Sequence, residues 1–358
     1  MTLPAHSRFD AGALRSFAEQ MFLRAGMPAD KARDVADILV EGDLLGHDTH
    51  GLQLLPVYLE EIAQGRMTLD GGPEVLNDHG VVLAWEGRRL PGPWLMLRAI
   101  EEASARARRL GTGIVSVRHS HHIAALATYA RRVAEDGLVL VLMSSAPGTS
   151  SVAPFGGTRG VFSPSPIGVG IPTGGEPVMV DVSTSITTMG LTGRLAREGA
   201  RLPGAWVIDE QGVPTDDPAV VTPPRKGALL PLGGTDVGHK GYGLGLMVEA
   251  LTAGLAGQGR SDPGPRWGAT IYLQVIDPQA FSGTAAFEQQ MDWIARQCES
   301  NPPADPARPV RLPGRRGLAL RREQLGHGVS LPASVVKSVG EWAAKLGVPM
   351  PEPLSGGS

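Results

Sequence analysis

The fold class follows from residues 113–143, which read GIVSVRHSHHIAALATYARRVAEDGLVLVLM. Two apolar runs, 113–117 and 138–143, have the length and β-branched content of strands. Between them, apolar side chains recur at helical intervals and predict a helix over 122–136. The helical stripe consists of Ala125, Leu126, Tyr129 and Val133. Because strands this uniformly apolar are covered on both faces, an α/β fold is expected.

Further elements extend this pattern in both directions. Strands are predicted at VVLAW, PVMVDV, AWVID and ATIYLQVID, which occupy residues 81–85, 177–182, 205–209 and 269–277. Before them, the spacing of apolar residues predicts helices. We therefore divide the chain into a helical N-terminal part, an α/β region, a C-terminal α/β part and a disordered tail. These parts span residues 1–75, 76–260, 261–350 and 351–358.

The composition excludes several classes of protein. Hydrophobic residues make up 42% of the chain and charged residues 19%, as in ordinary globular proteins. A net charge of −3 gives no reason to expect nucleic acid as a partner. The single cysteine, Cys298, excludes an intramolecular disulfide and a Cys-rich zinc site. Neither a membrane span nor a secretory signal is visible, so a cytoplasmic protein without membrane contact is expected.

Histidines cluster in two polar segments. Three of them, His119, His121 and His122, lie between the predicted strand and helix, and His47 and His50 lie in the sequence GHDTHG. They could bind a metal, move a proton, or cap helices at the surface. Neither spacing matches a motif with an established metal mechanism. An acid/base function is favoured, because ligands bind open α/β sheets at the ends of strands.

A dinucleotide site is not evident from glycine spacing. No G-x-G-x-x-G motif follows a predicted strand. The segment GGTDVGHKG, residues 233–241, precedes an apolar helix and could hold an anion with its backbone N–H groups and Lys240. It could equally be an ordinary helix start with a solvated lysine. Similarly, the hydroxyl groups of DVSTS, residues 181–185, could bind ribose or phosphate or cap the next helix.

A family resemblance emerges when these segments are taken together. In order along the chain, the segments are GHDTHGLQLLPVYLEEIAQGRM (46–67), SHHIAALATYA (120–130), APFGG (153–157), DVSTS (181–185), RLPGAWVIDEQGVPTDDP (201–218), ALLPLGG (228–234), GHKGYGLGLMVEALTAGLAG (238–257) and RLPG (311–314). Each is weak alone, but eight in register are specific. Together they resemble the malate/L-lactate dehydrogenase-like family of NAD(P)-dependent oxidoreductases. Its members include ureidoglycolate and sulfolactate dehydrogenases, diketogulonate reductase and reductases of cyclic imino acids.

The resemblance implies a fold and an assembly. The expected fold is a non-Rossmann, NAD(P)-binding malate/lactate dehydrogenase-like α/β fold whose helical N-terminal region packs with the C-terminal segment. This accounts for the missing glycine motif. The resemblance also implies domain functions: residues 1–75 are the helical part of a substrate and dimerisation domain, residues 76–260 bind NAD(P), and residues 261–350 return to the first domain. It further implies a homodimer in which the partner completes the active site, with a small molecule as substrate.

The resemblance also assigns residues. It implies His122 and His50 as the catalytic acid/base groups, and no metal ligand. Substrate contacts are implied for Thr49, Tyr58, His121, Leu54 and Leu191. Cofactor contacts are implied for Ser120, His122, Asp181, Ser183, Thr184, Ser185, His239, Lys240, Gly241, Gly314, Arg315 and Arg316. NAD and NADP remain alternatives, with NADP slightly favoured because Arg315 and Arg316 could pair with a 2′-phosphate.

Three positions depart from the family pattern. Leu54 stands where many members have an arginine that binds the substrate carboxylate, and Leu191 stands where they have an ionisable residue. The sequence SPSP, Ser163–Pro166, replaces Gly-Thr-Asn-Pro close to the expected cofactor. Leucine cannot form a bidentate carboxylate contact, which favours a less anionic substrate than a small 2-hydroxy acid.

These observations predict an NAD(P)-dependent dehydrogenase or reductase that transfers a hydride between nicotinamide and a 2-keto/2-hydroxy acid-like substrate. A reductase of cyclic imines is the first alternative. The second is a divergent member that binds a ligand or partner without turnover.

Overall fold

A computed structural model describes residues 6–264 and 267–354 of the protein. Within these residues the helices are α1 (Ala11–Arg24), α2 (Ala29–Leu44), α3 (Leu55–Ala63), α4 (Gly92–Leu110), α5 (Ala127–Glu135), α6 (Met189–Glu198), α7 (Gly234–Val237), α8 (His239–Glu249), α9 (Thr284–Glu299), α10 (Arg315–His327) and α11 (Ala333–Leu346). The strands are β1 (His6–Phe9), β2 (Glu74–Asp78), β3 (Val82–Glu86), β4 (Thr112–Ser120), β5 (Val139–Ser145), β6 (Ile167–Ile171), β7 (Val178–Val182), β8 (Val207–Ile208), β9 (Pro214–Thr215), β10 (Ala228–Leu229), β11 (Ala269–Ile276) and β12 (Val329–Pro332).

The main sheet is mixed and positions the site. In the described residues it has seven strands in the order β2-β3-β4-β11-β5-β6-β7. Only the pairing of β3 with β4 is parallel. Strand β11 lies between β4 and β5 and is antiparallel to both, so the two apolar strands of the initial stretch run in the same direction without touching. Their ends therefore reach the same edge of the sheet.

The initial stretch forms the predicted strand, helix and strand, but the helix is shorter than predicted. Helix α5 begins at Ala127 instead of residue 122. The backbone of Ala124 has a φ of +58°, which is incompatible with a right-handed helix, so residues 121–126 form a loop. The first helical N–H, that of Ala127, donates to Asp181 Oδ2 at 2.9 Å. A carboxylate at a helix N-terminus is favourable, and here it joins α5 to the end of β7.

The N-terminal and C-terminal parts of the chain pack together, as predicted. Strand β1 pairs antiparallel with β12. The amide of Gln324 in α10 donates to the carbonyls of Asp43 and Leu44 at the end of α2. Buried residues from α1, α2, α11 and the main sheet form one continuous apolar core.

A three-stranded sheet, in the order β10-β8-β9, projects from this core. It has its own apolar clusters, centred on Val152, Phe162, Val207 and Leu229. We call this sheet and its connecting loops, residues 150–162 and 201–231, the small lobe.

The domain boundaries that the sequence places at residues 75, 260 and 350 stay predictions. In the predicted disordered tail, Leu354 N–H donates to Arg8 O at 2.8 Å, while residues 355–358 lie outside the described residues. None of the helices in the described part of the chain is long and apolar enough to cross a bilayer.

Candidate active site

A cavity of about 580 Å³ opens where β4, β5 and β7 end. We call it the catalytic cavity. Its lining includes six of the predicted site residues, His50, Thr49, His122, Asp181, Ser183 and Ser185. The loops after all three strands contribute to it, so residues far apart in sequence meet at one edge of the sheet.

His122 is held through one nitrogen of its ring. Tyr58 Oη lies 2.9 Å from His122 Nδ1 and 3.1 Å from His122 O. Ala124 N lies 3.3 Å from the same Nδ1, the longest of these contacts. Tyr58 Oη donates to His122 O, so it can accept a hydrogen bond from Nδ1–H, and this tautomer leaves the lone pair of the neutral ring on Nε2. Nε2 is therefore the nitrogen that can exchange a proton in the cavity.

Two aromatic neighbours fix the plane of the His122 ring. Trp267 stacks on it with ring centres 4.6 Å apart and an angle of 22°. His50 lies with its ring centre 5.6 Å from that of His122, tilted by 30°. Thr49 Oγ1 lies 2.9 Å from His50 Nδ1 and orients the second ring. The arrangement presents two imidazoles of fixed orientation to one cavity.

Burial keeps these imidazoles neutral. It lowers the pKa of His122 well below its ordinary value, and the neighbouring His50 and His121 lower it further. Burial also lowers the pKa of His50, although the carboxylate of Asp181 opposes this shift. A neutral imidazole at physiological pH is ready to accept a proton from a hydroxyl group.

The backbone around His122 is tightly constrained. A Cβ built on Gly92, the first residue of α4, would lie 2.2 Å from His122 O. Only glycine allows this approach. Ala124 and His119 both have positive φ, of +58° and +49°, which is strained for residues with a side chain. Strain on both sides of His122 indicates that its position is enforced by the surrounding structure.

A buried carboxyl group holds the loop that carries His50. Asp43 Oδ2 accepts a hydrogen bond of 2.8 Å from Leu52 N–H. A Cβ on Gly51 would lie 2.1 Å from Asp43 Oδ1, so the loop passes directly over this side chain. Burial raises the pKa of Asp43 well above its ordinary value, which the hydrogen bond from Leu52 opposes. Asp43 thus positions His50 without reaching the cavity.

The SPSP segment, Ser163–Pro166, which departs from the family pattern, contributes all four of its residues to the lining of the catalytic cavity. Ser163 Oγ and Ser165 Oγ lie 3.0 Å apart and are buried. Arg260 Nη2 donates to Ser163 Oγ at 3.2 Å and to Glu249 Oε1 at 2.8 Å. An ion pair therefore holds this segment in place from behind.

A second cavity, of about 420 Å³, shares His47 and Asp181 with the catalytic cavity. Its lining includes Gly314 and Arg316 from the RLPG segment and α10. The backbone of Gly314 has a φ of +88°, and a Cβ there would lie 2.8 Å from the Cβ of Met179. The two cavities form adjoining compartments on either side of His47 and Asp181.

Other predicted residues are not brought into the catalytic cavity. His121 is fully buried behind it, with Nε2 3.3 Å from Glu61 Oε2, and burial lowers its pKa to about 4. Tyr58 is also fully buried, its Oη contacts His122, and burial raises its pKa. The remaining predicted residues, which are absent from the described lining of both cavities, are Ser120, Thr184, His239, Lys240, Gly241, Arg315, Leu54 and Leu191.

Their contacts explain their positions. Thr184 Oγ1 donates to Pro164 O, and Ser120 Oγ donates to His121 O. Arg315 pairs with Glu176 and Glu299 instead of facing either cavity. Hydroxyl and guanidinium groups that look available in sequence are thus satisfied within the fold.

Three contributors were missed in the sequence. Trp267 and Asp43 belong to no motif or spacing that would mark them in the sequence. Gly92 follows Pro91 at a helix start, where glycine is unremarkable. Their importance depends on contacts with residues distant in sequence. Within residues 6–264 and 267–354, no three His, Cys, Asp or Glu side chains are arranged to hold a metal ion.

Comparison with known proteins identifies the family of the chain. The profile of a family described as malate/L-lactate dehydrogenase matches residues 9–340. The (2R)-3-sulfolactate dehydrogenase (NADP(+)) of Chromohalobacter salexigens is 32% identical over 89% of this chain and 92% of its own. The structure of malate dehydrogenase from Pyrococcus horikoshii superposes with a TM-score of 0.87 at 26% identity, covering 99% of both chains.

A further relative is named for a different reaction, the reduction of Δ1-piperideine-2-carboxylate. The Δ1-piperideine-2-carboxylate reductase of Pseudomonas syringae superposes with a TM-score of 0.83 at 30% identity, covering 94% of this chain and 99% of that one. These matches confirm the fold class and the family resemblance predicted from sequence. Since the profile spans nearly the whole chain, this protein belongs to the malate/L-lactate dehydrogenase family of oxidoreductases.

Proposed function

We propose that the protein is an NAD(P)-dependent dehydrogenase or reductase of a 2-hydroxy acid-like or 2-oxo acid-like substrate. The observation that carries this proposal is His122, whose Nδ1 is held by Tyr58 and Ala124 while its ring lines the catalytic cavity. Nε2 then takes the proton of the substrate hydroxyl on oxidation and returns it on reduction. His50, 5.6 Å away between ring centres, orients the same substrate group.

The two adjoining cavities fit an extended dinucleotide. Asp181 lies between them and offers a carboxylate that can accept hydrogen bonds from ribose hydroxyls. Ser183 and Ser185 line the catalytic side, while Arg316 lines the other. A bound nicotinamide supplies or accepts the hydride. Arg316 can pair with a 2′-phosphate, which favours NADP over NAD.

The catalytic cavity favours a substrate of low charge. Among its described lining residues there is no lysine or arginine, and Asp181 is the one carboxylate. Burying an anionic group without a cation costs several kcal/mol. This supports the less anionic substrate, although Leu54 and Leu191, on which the sequence argument rested, do not line the cavity. Thr49 and His50 provide the polar contacts in this account.

Reduction of a cyclic imine is the second candidate. The observation that favours it is the similarity to the piperideine-2-carboxylate reductase, which covers nearly all of both chains. Proton delivery by His122 would serve either a carbonyl oxygen or an imine nitrogen. A divergent member that only binds its ligand is the alternative from another class.

A homodimer fits the exposed apolar surface near α8. Within the described residues, Leu244, Leu246, Met247 and Leu255 are each more than a third exposed. Grouped apolar side chains of this kind mark interaction surfaces, and most oligomers pair identical chains. We propose a cytoplasmic homodimer formed through this surface.

Cofactor binding tests the proposal. Titration with NADPH is expected to quench tryptophan fluorescence with a roughly micromolar dissociation constant, since Trp267 lines the cavity. Replacing Arg316 with glutamine should weaken NADPH binding about tenfold, through loss of a charge-assisted contact, with little change for NADH. Arg322→Gln, on the same helix but outside both cavities, is the matched control.

Two outcomes would contradict this prediction. Folded protein that binds neither reduced cofactor would favour the non-catalytic alternative. Equal losses of affinity for NADPH and NADH in Arg316→Gln would reject the 2′-phosphate contact.

Sedimentation of the same samples tests the proposed homodimer. The mass is expected near twice the 37.5 kDa of the chain. A monomer would reject the dimer.

A further inference from the structure

A third cavity lies in the small lobe, apart from His122. Its volume is about 630 Å³, comparable to the catalytic cavity. Its lining includes Arg159, Arg225 and Lys226, and Glu210 is the one acidic residue in the described lining. Three cations around one concave surface repel each other and raise the local positive potential. The chemistry of this cavity therefore differs from that of the catalytic cavity.

The basic side chains are not neutralised by their neighbours. Glu210 Oε1 accepts its hydrogen bond from the backbone N–H of Lys226, at 3.0 Å. Arg225 has a single, long ion-pair contact, 3.8 Å to Asp217; the Arg225 side chain is exposed to solvent and that of Asp217 is half-buried. Neither the Arg159 guanidinium nor the Lys226 ammonium forms an ion pair with any described residue within 4.0 Å. Three cations thus line the cavity, against one carboxylate in the described lining, Glu210, and a second, Asp217, 3.8 Å from Arg225.

An unpaired hydroxyl group lies in the same wall. Ser151 Oγ is buried and has no hydrogen-bond partner among the described residues. A buried hydroxyl without a partner costs about 1–3 kcal/mol, which a ligand oxygen could recover. The loops that carry these residues are packed closely. A Cβ on Gly160 would lie 2.3 Å from Ser150 O, and one on Gly227 would lie 2.4 Å from Ile208 O.

We propose that this cavity binds a small polyanion bearing phosphate groups, at a site separate from the cofactor. Arg159, Arg225 and Lys226 would contact the phosphate oxygens, and Ser151 would donate its hydroxyl hydrogen. The cavity borders the catalytic cavity at Met189, which lines both. No part of this inference depends on the oxidoreductase activity.

Calorimetric titration with pyrophosphate tests the site in the full-length protein. We expect one saturable site per chain in buffer of low ionic strength, both without cofactor and with saturating NADP. The double variant Arg159→Gln/Lys226→Gln should weaken binding at least tenfold, because it removes two of three cations. Arg308→Gln, an equally basic surface position outside the cavity, should bind as wild type.

Three results would overturn the proposal. The first is the absence of saturable binding, and the second is competition with NADP, which would assign pyrophosphate to the cofactor site. The third is unchanged affinity in the double variant. If that variant melts below the wild type, Arg225→Gln alone provides the same test. Wild-type protein that binds pyrophosphate but no nicotinamide cofactor would reject the proposed function and still support the phosphate site.

Discussion

Replacing His122 with alanine is expected to lower kcat about a hundredfold or more, while the affinity for the reduced cofactor stays near that of wild type. The reason is geometric. The ring lies in the cavity wall, with Nδ1 occupied by Tyr58 and Ala124, so Nε2 is the atom that exchanges the proton. Steady-state kinetics together with fluorescence titration measure the two quantities separately.

The control for this variant is His119→Ala. His119 lies three residues before His122, is 40% exposed in its side chain, and contacts Glu86 at 2.9 Å instead of the catalytic cavity. The His119→Ala variant should have nearly the kcat of wild type. An unchanged kcat in His122→Ala would exclude His122 as the proton carrier.

Wild-type kcat/KM for oxidation should persist below pH 6.5, because burial lowers the pKa of His122 and keeps the ring able to accept a proton.

Replacing Gly92 with alanine should impair turnover almost as strongly, although Gly92 has no side chain and does not line the cavity. The added Cβ would lie 2.2 Å from His122 O and 2.6 Å from His121 O, so the histidine backbone must move. A displacement of about 1 Å in a catalytic group costs roughly a hundredfold in rate. Measurement of kcat in this variant, with circular dichroism to establish folding, tests the prediction.

Gly340→Ala provides the matched control. Gly340 lies inside α11, and a Cβ there would meet nothing within 4 Å. Alanine should stabilise the helix by about 0.5–1 kcal/mol and leave kcat unchanged. Wild-type kcat in folded Gly92→Ala would show that the His122 backbone can relax without loss, and would contradict the close-packed account of the site.

The sequence predicted those parts of the fold that depend on local periodicity. Strands β4 and β5 and the helix between them followed from apolar spacing over 113–143. The insertion of β11 between β4 and β5 could not be predicted this way, because it pairs residues about 125–165 positions apart. Likewise, the helix start at Ala127 depends on the positive φ of Ala124, which an apolar residue does not signal.

The candidate site was predicted in a similar way. His50, Thr49, His122 and Asp181 come together as the motifs indicated. Tyr58 and His121 belong to the support behind the site, a distinction set by burial and not by residue type. The stacking of Trp267 on His122 joins segments about 145 residues apart, so no local pattern could reveal it.

Transfer of deuterium from NADPH labelled at C4 tests the central claim most directly. The folded wild-type protein is incubated with the labelled cofactor and a panel of 2-oxo acids, their uncharged esters and proline-type cyclic imines. Mass spectrometry then measures the masses of the products. The account predicts a product with one deuterium on the reduced carbon, formed fastest from an uncharged keto compound and about a hundredfold or more slower in His122→Ala. Absence of deuterium from every product, in protein that binds NADPH, would contradict it.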